Sequence, residues 1–177
     1  MTRRYVEAIA GSTARIYDTR KTTPGWRTLE KYAVRCGGGC NHRHGLYDAV
    51  LLKDNHLAGI PTAKLAAHLF DLLNRLDTAG PNPPFVEVEA DSLEQVEELF
   101  RVVGINAVLL DNFTLEGLRE AVALRDARGL RGKVELEASG GITLNSVRAV
   151  AETGVERISV GAITHGATAI DLALERV

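Results

Sequence analysis

One unit recurs about six times along the chain: a short apolar or alternating run, a polar or glycine-rich end, then a helical stretch. The runs are Ala14 to Thr19, Ala49-Val50-Leu51-Leu52, Phe85 to Glu89, Ala107 to Leu110, Val134 to Glu137 and Arg157 to Val160. Helical patterns follow each of them: Trp26 to Val34 with apolar Trp26, Leu29, Tyr32 and Ala33, then Pro61 to Leu76. Later come helices opened by Ser92, Thr114 and Thr143, and an amphipathic stretch running to Val177. Ser and Thr at those positions are N-cap signals. Strands that alternate with helices imply a parallel sheet joined by right-handed crossovers. The expected fold is α/β, a parallel TIM-like β/α barrel of about six strands, closed or lacking part of its wall. An open doubly wound sheet would use only the strand ends beside its switch point. Here nearly every strand delivers a charged or glycine-rich end, and a barrel gathers all of these on one face. No G-x-G-x-x-G follows the first strand, which also lowers the case for a dinucleotide fold.

At 177 residues the chain suits a single domain, 1–177. The loop Asp77 to Pro84 (DTAGPNPP) reads as a surface connection, because neither half of the chain would hold its own core. A formal charge of −2 excludes a dedicated nucleic-acid binder. No apolar run is long enough to span a bilayer, and no secretory signal opens the chain. With only two cysteines, a cytoplasmic setting is expected. The start, MTRRYVEAIAGS, reads as a helix with Tyr5, Val6, Ile9 and Ala10 on its apolar face and Gly11 as C-cap. Nothing precedes it to pack against, so the chain reads as a fragment or as a protein with a late start.

The chemistry concentrates between Asp18 and His56. Arg20, Lys21, Arg43 and Lys53 come from different strand ends or loops and would converge at a barrel mouth. Arg suits bidentate carboxylate recognition and Lys suits phosphate. The run Gly37-Gly38-Gly39 beside them is expected to offer backbone N–H groups to an anion. Glu89 and Asp111 end consecutive strands and could hold Mg²⁺ through oxygen, with Glu87 and Glu137 competing for similar roles. Glu87 and Glu89 share a face, so spacing alone does not choose between them. Ser139-Gly140-Gly141 and Val160-Gly161-Ala162 follow the last two strands, where small residues let backbone reach a phosphate. Cys36, Cys40, His42 and His44 raise a zinc reading, although their spacing is denser than structural zinc sites use. His42 reads better as a donor to a ligand. His56 would serve the site or cap a helix, His68 is structural, and His165 begins the last helix near the phosphate loops or caps it.

Taken together, the motifs DTRKT with Pro24-Gly25, KYAVRCGGG, NHR, GLYDAVLLKDNH, EVE, LLDN, EASGG and SVGAITH resemble those of the quinolinate phosphoribosyltransferase family. Members are also called nicotinate-nucleotide pyrophosphorylase (carboxylating). The resemblance runs from Tyr5 to the C-terminus. It implies a β/α barrel that moves a phosphoribosyl group from phosphoribosyl pyrophosphate to the quinolinate nitrogen, releasing carbon dioxide and pyrophosphate, with Mg²⁺ as cofactor. It further implies that Thr19, Arg20, His42, Arg43 and Lys53 bind quinolinate and that Lys21 lies between the two substrates. Glu89 and Asp111 would sit near the ribose and metal, and Ser139, Gly140, Gly161 and Ala162 would cradle the 5-phosphate. Lys21, Lys53, Glu89 and Asp111 form the implied catalytic set. Family members carry an N-terminal domain that, in the homodimer, covers the partner's barrel mouth and contributes a further Arg. This chain shows neither, so weak or no turnover is expected of it alone, with phosphate binding retained. The competing readings are a related enzyme for another aromatic acid, a non-catalytic barrel that binds phosphate, and a zinc module.

Overall fold

The computed structural model of the chain describes residues 1–79 and 85–175, excepting the side chains of 77–79. Six strands form one all-parallel sheet: β1 (Arg15–Tyr17), β2 (Val50–Leu52), β3 (Val86–Ala90), β4 (Ala107–Asp111), β5 (Glu135–Ser139) and β6 (Arg157–Ser159). Their order is β1-β6-β5-β4-β3-β2. The strands therefore follow one another in the cyclic order of a barrel, opened between β1 and β2. That seam is partly bridged where Cys40 donates its N–H to Ile16 O at 2.7 Å and Asp18 N–H reaches Cys40 O at 3.1 Å. The expected barrel of six strands is thus present with its wall incomplete.

The described residues form eight helices, α1 before the first strand, α8 after the last and the rest between strands: α1 (Thr2–Ala8), α2 (Arg27–Cys36), α3 (Asp54–Leu57), α4 (Thr62–Ala79), α5 (Leu93–Leu99), α6 (Leu115–Ala127), α7 (Val147–Ala151) and α8 (Ala162–His165). Two caps behave as the residue types require. Ser92 accepts from Gln95 N–H at 3.4 Å, and Thr114 accepts from Gly117 N–H at 3.1 Å. Thr143 does not cap α7; its N–H bonds the Ser146 hydroxyl at 3.0 Å in a turn that delays the helix by one turn. Within the strands, one set of alternate residues (Ile16, Val86, Val88, Val108, Leu110, Leu136, Ala138, Ile158) packs under the helices in a single apolar core. The other set points into the barrel. In register across the sheet these are Arg15 beside Arg157, Arg157 beside Glu137, Glu137 beside Leu109, and Leu109 beside Glu89.

Three expectations need correction. The apolar face expected of α2 is turned outward, leaving Trp26, Leu29 and Tyr32 each 58% exposed. The helix instead buries Lys31 and Val34, because the Lys31 ammonium pairs with the fully buried Asp18 carboxylate. The last stretch is not a long amphipathic helix. It has one turn, α8, ending at Gly166, and residues 167–175 lack regular structure. Ile170, Leu172 and Leu174 are exposed there and recur every second residue, a period that no helix can bury on one side. The expected loop Asp77 to Pro84 is helical through Ala79, and its remainder lies outside the described residues.

Candidate active site

The carboxyl ends of four strands build one cavity. Asp111 closes β4 and is the register partner of Ser139, which closes β5. Gly161 and Ala162 follow β6, and Thr19 and Lys21 follow β1. These residues, with Gly140, Gly141, Asn112 and His165, line a cavity of about 440 Å³. Seven expected site residues thus meet: Thr19, Lys21, Asp111, Ser139, Gly140, Gly161 and Ala162. The loop after β1 is tied down from the far side, where the Thr164 hydroxyl donates to Lys21 O at 2.6 Å. The N–H groups of Gly140, Gly141 and Gly161 find no acceptor among the described residues. Several aligned N–H groups without acceptors suit a phosphate. Gly140 is required by both backbone and space. Its φ is +99°, and a Cβ there would lie 2.1 Å from Asn112 Oδ1.

Oxygen donors beside the cavity suit Mg²⁺ unequally. Asp111 accepts from Asn112 Nδ2 with Oδ2 at 2.7 Å and leaves Oδ1 without a partner. A hard oxygen left free in this way is what Mg²⁺ takes. Glu89 is only 6% exposed and already engaged, with Lys53 on Oε2 and the Asp54 N–H on Oε1 at 3.4 Å. Asp111 therefore fits the metal as it stands, and Glu89 does so only when a ligand competes for Lys53.

The cationic side is less crowded than its sequence suggests. Arg20 and Arg43 make no ion pair among the described residues, and each has a buried Nε without a partner. Burial, together with the nearby Arg20 charge, lowers the Arg43 pKa. Glu87 and Asp48 act on it in the opposite sense, without forming an ion pair with it. Two guanidinium groups near enough to repel, neither held by an ion pair among the described residues, suit a dianion. The glycine run does not contribute to it. Gly37, Gly38 and Gly39 spend their N–H groups on Ala33, Val34 and Arg35 carbonyls, closing the C-terminus of α2. Nor do Cys36, Cys40, His42 and His44 form a metal set. Cys36 is exposed and Cys40 sits in the β1 bridge. His44 is drawn away by its N–H bond to Asp48 at 2.6 Å. His56 caps α3, its Nδ1 accepting the Lys53 N–H at 2.9 Å. His68 is an exposed residue of α4, and His165 ends α8 rather than beginning it.

His42 turns inward, onto a charge cluster within the barrel. Its Nε2 lies 2.8 Å from Glu87 Oε2 and 3.5 Å from Glu137 Oε1. Arg157 Nε donates to Glu137 Oε2 at 2.6 Å, and its guanidinium lies 3.7 Å from the Tyr17 ring centroid. Glu87 Oε1 is buried with no hydrogen-bond partner among the described residues, and Glu87 Oε2 and Glu137 Oε1 are faced by the His42 ring alone. Among the described residues this trio is the one group of His, Cys, Asp and Glu close enough to share an ion. The ring tautomer argues against one. His42 Nδ1 accepts the Arg43 N–H at 2.8 Å, so the ring proton sits on Nε2, the atom facing the carboxylates. A ligating His uses the opposite arrangement, donating from its second nitrogen. The cluster holds a proton instead. Burial and the Glu87 charge push the Glu137 carboxyl up to about 7. Burial lowers the His42 pKa, but contact with Glu87 and the Glu137 charge outweigh it and leave it raised.

The mouth of this cluster opens toward the β1–β2 seam, into a cleft of about 460 Å³ lined by His42, Arg43, Lys31, Tyr17, Phe85 and Arg157, among others. Asp18, Lys31, Asn112 and Arg157 are not among the expected site residues. Arg157 was readable in principle, since it shares the strand alternation with Ser159. Asp18 was also readable, as the first polar residue after an apolar run.

Comparison with known proteins places the chain in a family. The family described as "Quinolinate phosphoribosyl transferase, C-terminal domain" matches residues 1–175. The nicotinate-nucleotide pyrophosphorylase [carboxylating] of Mycobacterium leprae is 44% identical over 171 residues, 97% of this chain and 57% of the relative. The probable enzyme of that name from Bacillus subtilis is 39% identical over 175 residues, 99% of this chain and 56% of the relative. Among solved structures, NadC from Streptococcus pyogenes superposes with a TM-score of 0.80 at 37% identity, covering 97% of this chain and 56% of that one. The chain thus spans a little over half the length of the curated relatives it matches. It belongs to the quinolinate phosphoribosyl transferase family, whose C-terminal domain it matches almost from end to end.

Proposed function

We propose that the chain carries the site for phosphoribosyl transfer from phosphoribosyl pyrophosphate to quinolinate, giving nicotinate mononucleotide, carbon dioxide and pyrophosphate. The observation that carries this reading is the convergence of Thr19, Lys21, Asp111, Ser139, Gly140, Gly161 and Ala162 on one cavity at the strand ends. In this reading the Gly140, Gly141 and Gly161 N–H groups hold the ribose 5-phosphate. Arg20 and Arg43, which make no ion pair among the described residues, take the two quinolinate carboxylates. Lys53 joins them, exchanging its contact with Glu89 for the ligand. Quinolinate is thereby aimed with its ring nitrogen at the anomeric carbon.

The nitrogen lone pair forms the C–N bond as the bond to pyrophosphate breaks, and the ribose passes through an oxocarbenium-like state. Glu89 and Asp111 stabilise that positive charge by proximity, and Lys21 faces the departing pyrophosphate. Mg²⁺, held by Asp111 and by Glu89 once Lys53 is drawn off, would supply positive charge for the leaving group. The ring nitrogen is now cationic, so the carboxylate beside it leaves as carbon dioxide while the ring takes up the electron pair. The resulting carbon then takes a proton from water. No general base is needed, because the ring nitrogen uses its own lone pair. His42, committed to Glu87 and Glu137, shapes the floor of this site rather than donating to the ligand directly.

A homodimer in the cytoplasm is part of the same proposal. Two free cysteines suit a reducing compartment. No described helix is long and apolar enough to cross a membrane. Trp26 and Leu29 with Tyr32 form an exposed face on α2 that a partner subunit would cover. Product analysis tests the chemistry. With quinolinate, phosphoribosyl pyrophosphate and Mg²⁺, carbon dioxide and nicotinate mononucleotide should appear in equal amounts, however slowly. Product from nicotinate in place of quinolinate would point to a different aromatic acid as substrate.

A further inference from the structure

Asn112 stands out within the cavity. Among the described residues it is the one non-glycine with a positive φ, 57°. Asn tolerates that conformation better than most residues, but a turn of this kind is more cheaply made with Gly. Its side chain explains why Asn is there. Asn112 Nδ2 donates to Asp111 Oδ2 at 2.7 Å, and its backbone N–H reaches Ser139 O at 2.9 Å. Its Oδ1 fills the space where a side chain at residue 140 would stand, 2.1 Å from that Cβ position. One residue thus links the carboxylate ending β4 to the glycine loop after β5. Both belong to the same cavity.

We propose that Asn112 is a positioning residue. Held in the left-handed conformation, it locks one oxygen of Asp111 so that the other faces the cavity, and it packs beside Gly140 to fix the phosphate loop. The proposal rests on the phosphoribosyl-transfer reading, because it assigns Asn112 to the metal-and-phosphate half of that site. Without the Asn112 amide the Asp111 carboxylate is free to rotate, and a divalent cation must then order it on binding.

The test substitutes Gly for Asn112, which keeps the backbone conformation and removes only the side chain. Binding of phosphoribosyl pyrophosphate is followed by calorimetry across a series of Mg²⁺ concentrations, with thermal unfolding as the control. Loss of a group that orients a metal ligand costs about 10- to 100-fold in metal affinity. The Mg²⁺ concentration for half-maximal binding should therefore rise by about tenfold in Asn112→Gly, while the unfolding temperature stays close to that of the unaltered chain. If the variant matches the unaltered chain at every Mg²⁺ concentration, the positioning role is wrong. If it loses thermal stability but keeps its Mg²⁺ dependence, Asn112 is merely structural and the proposal is equally overturned. Should the unaltered chain itself bind no phosphoribosyl pyrophosphate, the functional reading fails first and takes this inference with it.

Discussion

Two regions of the barrel are built from the same alternating strands and do opposite things with charge. At the carboxyl ends, Gly140, Gly141 and Gly161 leave N–H groups without acceptors among the described residues, and Arg20, in the loop after β1, makes no ion pair there. Deeper in the barrel, Arg157 pairs with Glu137 and the His42 ring lies against Glu87, so the charges face one another inside the wall although Glu87 Oε1 has no hydrogen-bond partner among the described residues. Interiors of such barrels are usually filled by branched apolar side chains. Here the interior is ionic, and each charge there depends on its neighbour. The difference teaches that a charge facing the lumen is not by itself a sign of ligand binding. What separates the mouth from the floor is whether its groups already lie against an opposite charge.

The largest effect should come from breaking the floor. Arg157 is 7% exposed and serves Glu137 and Glu135 together, at 2.6 and 3.2 Å. Replacing it with Leu leaves a buried carboxylate unpaired, which costs about 3–5 kcal/mol. Urea denaturation would measure the loss; a cost under about 1 kcal/mol would mean the floor is not held by charge.

Next comes pH. The Glu137 carboxyl is raised from 4.5 to about 7 in the fold. In that window the folded chain keeps a proton that the unfolded chain has already released. The Glu137 contribution to stability should be fully present below about pH 4.5 and be lost as pH rises toward 7, by an amount on the order of a few kcal/mol. The raised His42 pKa acts in the same direction. Glu137→Gln should flatten that slope, and an unchanged slope would place the proton elsewhere.

At the mouth the pattern should invert. Arg20→Met should leave stability within about 0.5 kcal/mol, as for substitutions that break no pair. Yet it should weaken quinolinate binding at least tenfold, roughly 1.4 kcal/mol. A stability loss without a binding loss would move Arg20 from the mouth to the scaffold. The smallest effect concerns neither region: Thr114→Ala removes an N-cap of α6 and should cost about 1 kcal/mol in thermal or chemical unfolding.

Much of the mouth was legible because its residues fall at the joints of the repeating unit. Asp111, Ser139, Gly140 and Gly161 each end an apolar run, so the barrel order brings them together whatever the details of packing. The floor was harder to read. Alternation says that Glu87 and Glu89 share a face, but only the register distinguishes them. It sets Glu87 beside Ala107 at the level of His42, and Glu89 beside Leu109 near Lys53. The orientation of α2 was unreadable for a related reason. Trp26, Leu29 and Tyr32 outweigh Lys31 in any hydrophobic pattern, and only the tertiary pairing of Lys31 with Asp18 turns the helix over. The glycine run misled because Gly serves helix termini as readily as anion loops, and here it closes α2.

The central claim is that the cradle around Gly140 binds a phosphoribosyl group through free backbone donors. Calorimetric titration of phosphoribosyl pyrophosphate with Mg²⁺ into the chain and into Gly140→Ala tests it most directly. A Cβ there must displace Asn112 and strain a backbone held at φ +99°. The account predicts saturable binding to the unaltered chain and at least a tenfold loss in the variant, roughly 1.4 kcal/mol. Equal binding by both, or none by the unaltered chain, would contradict it.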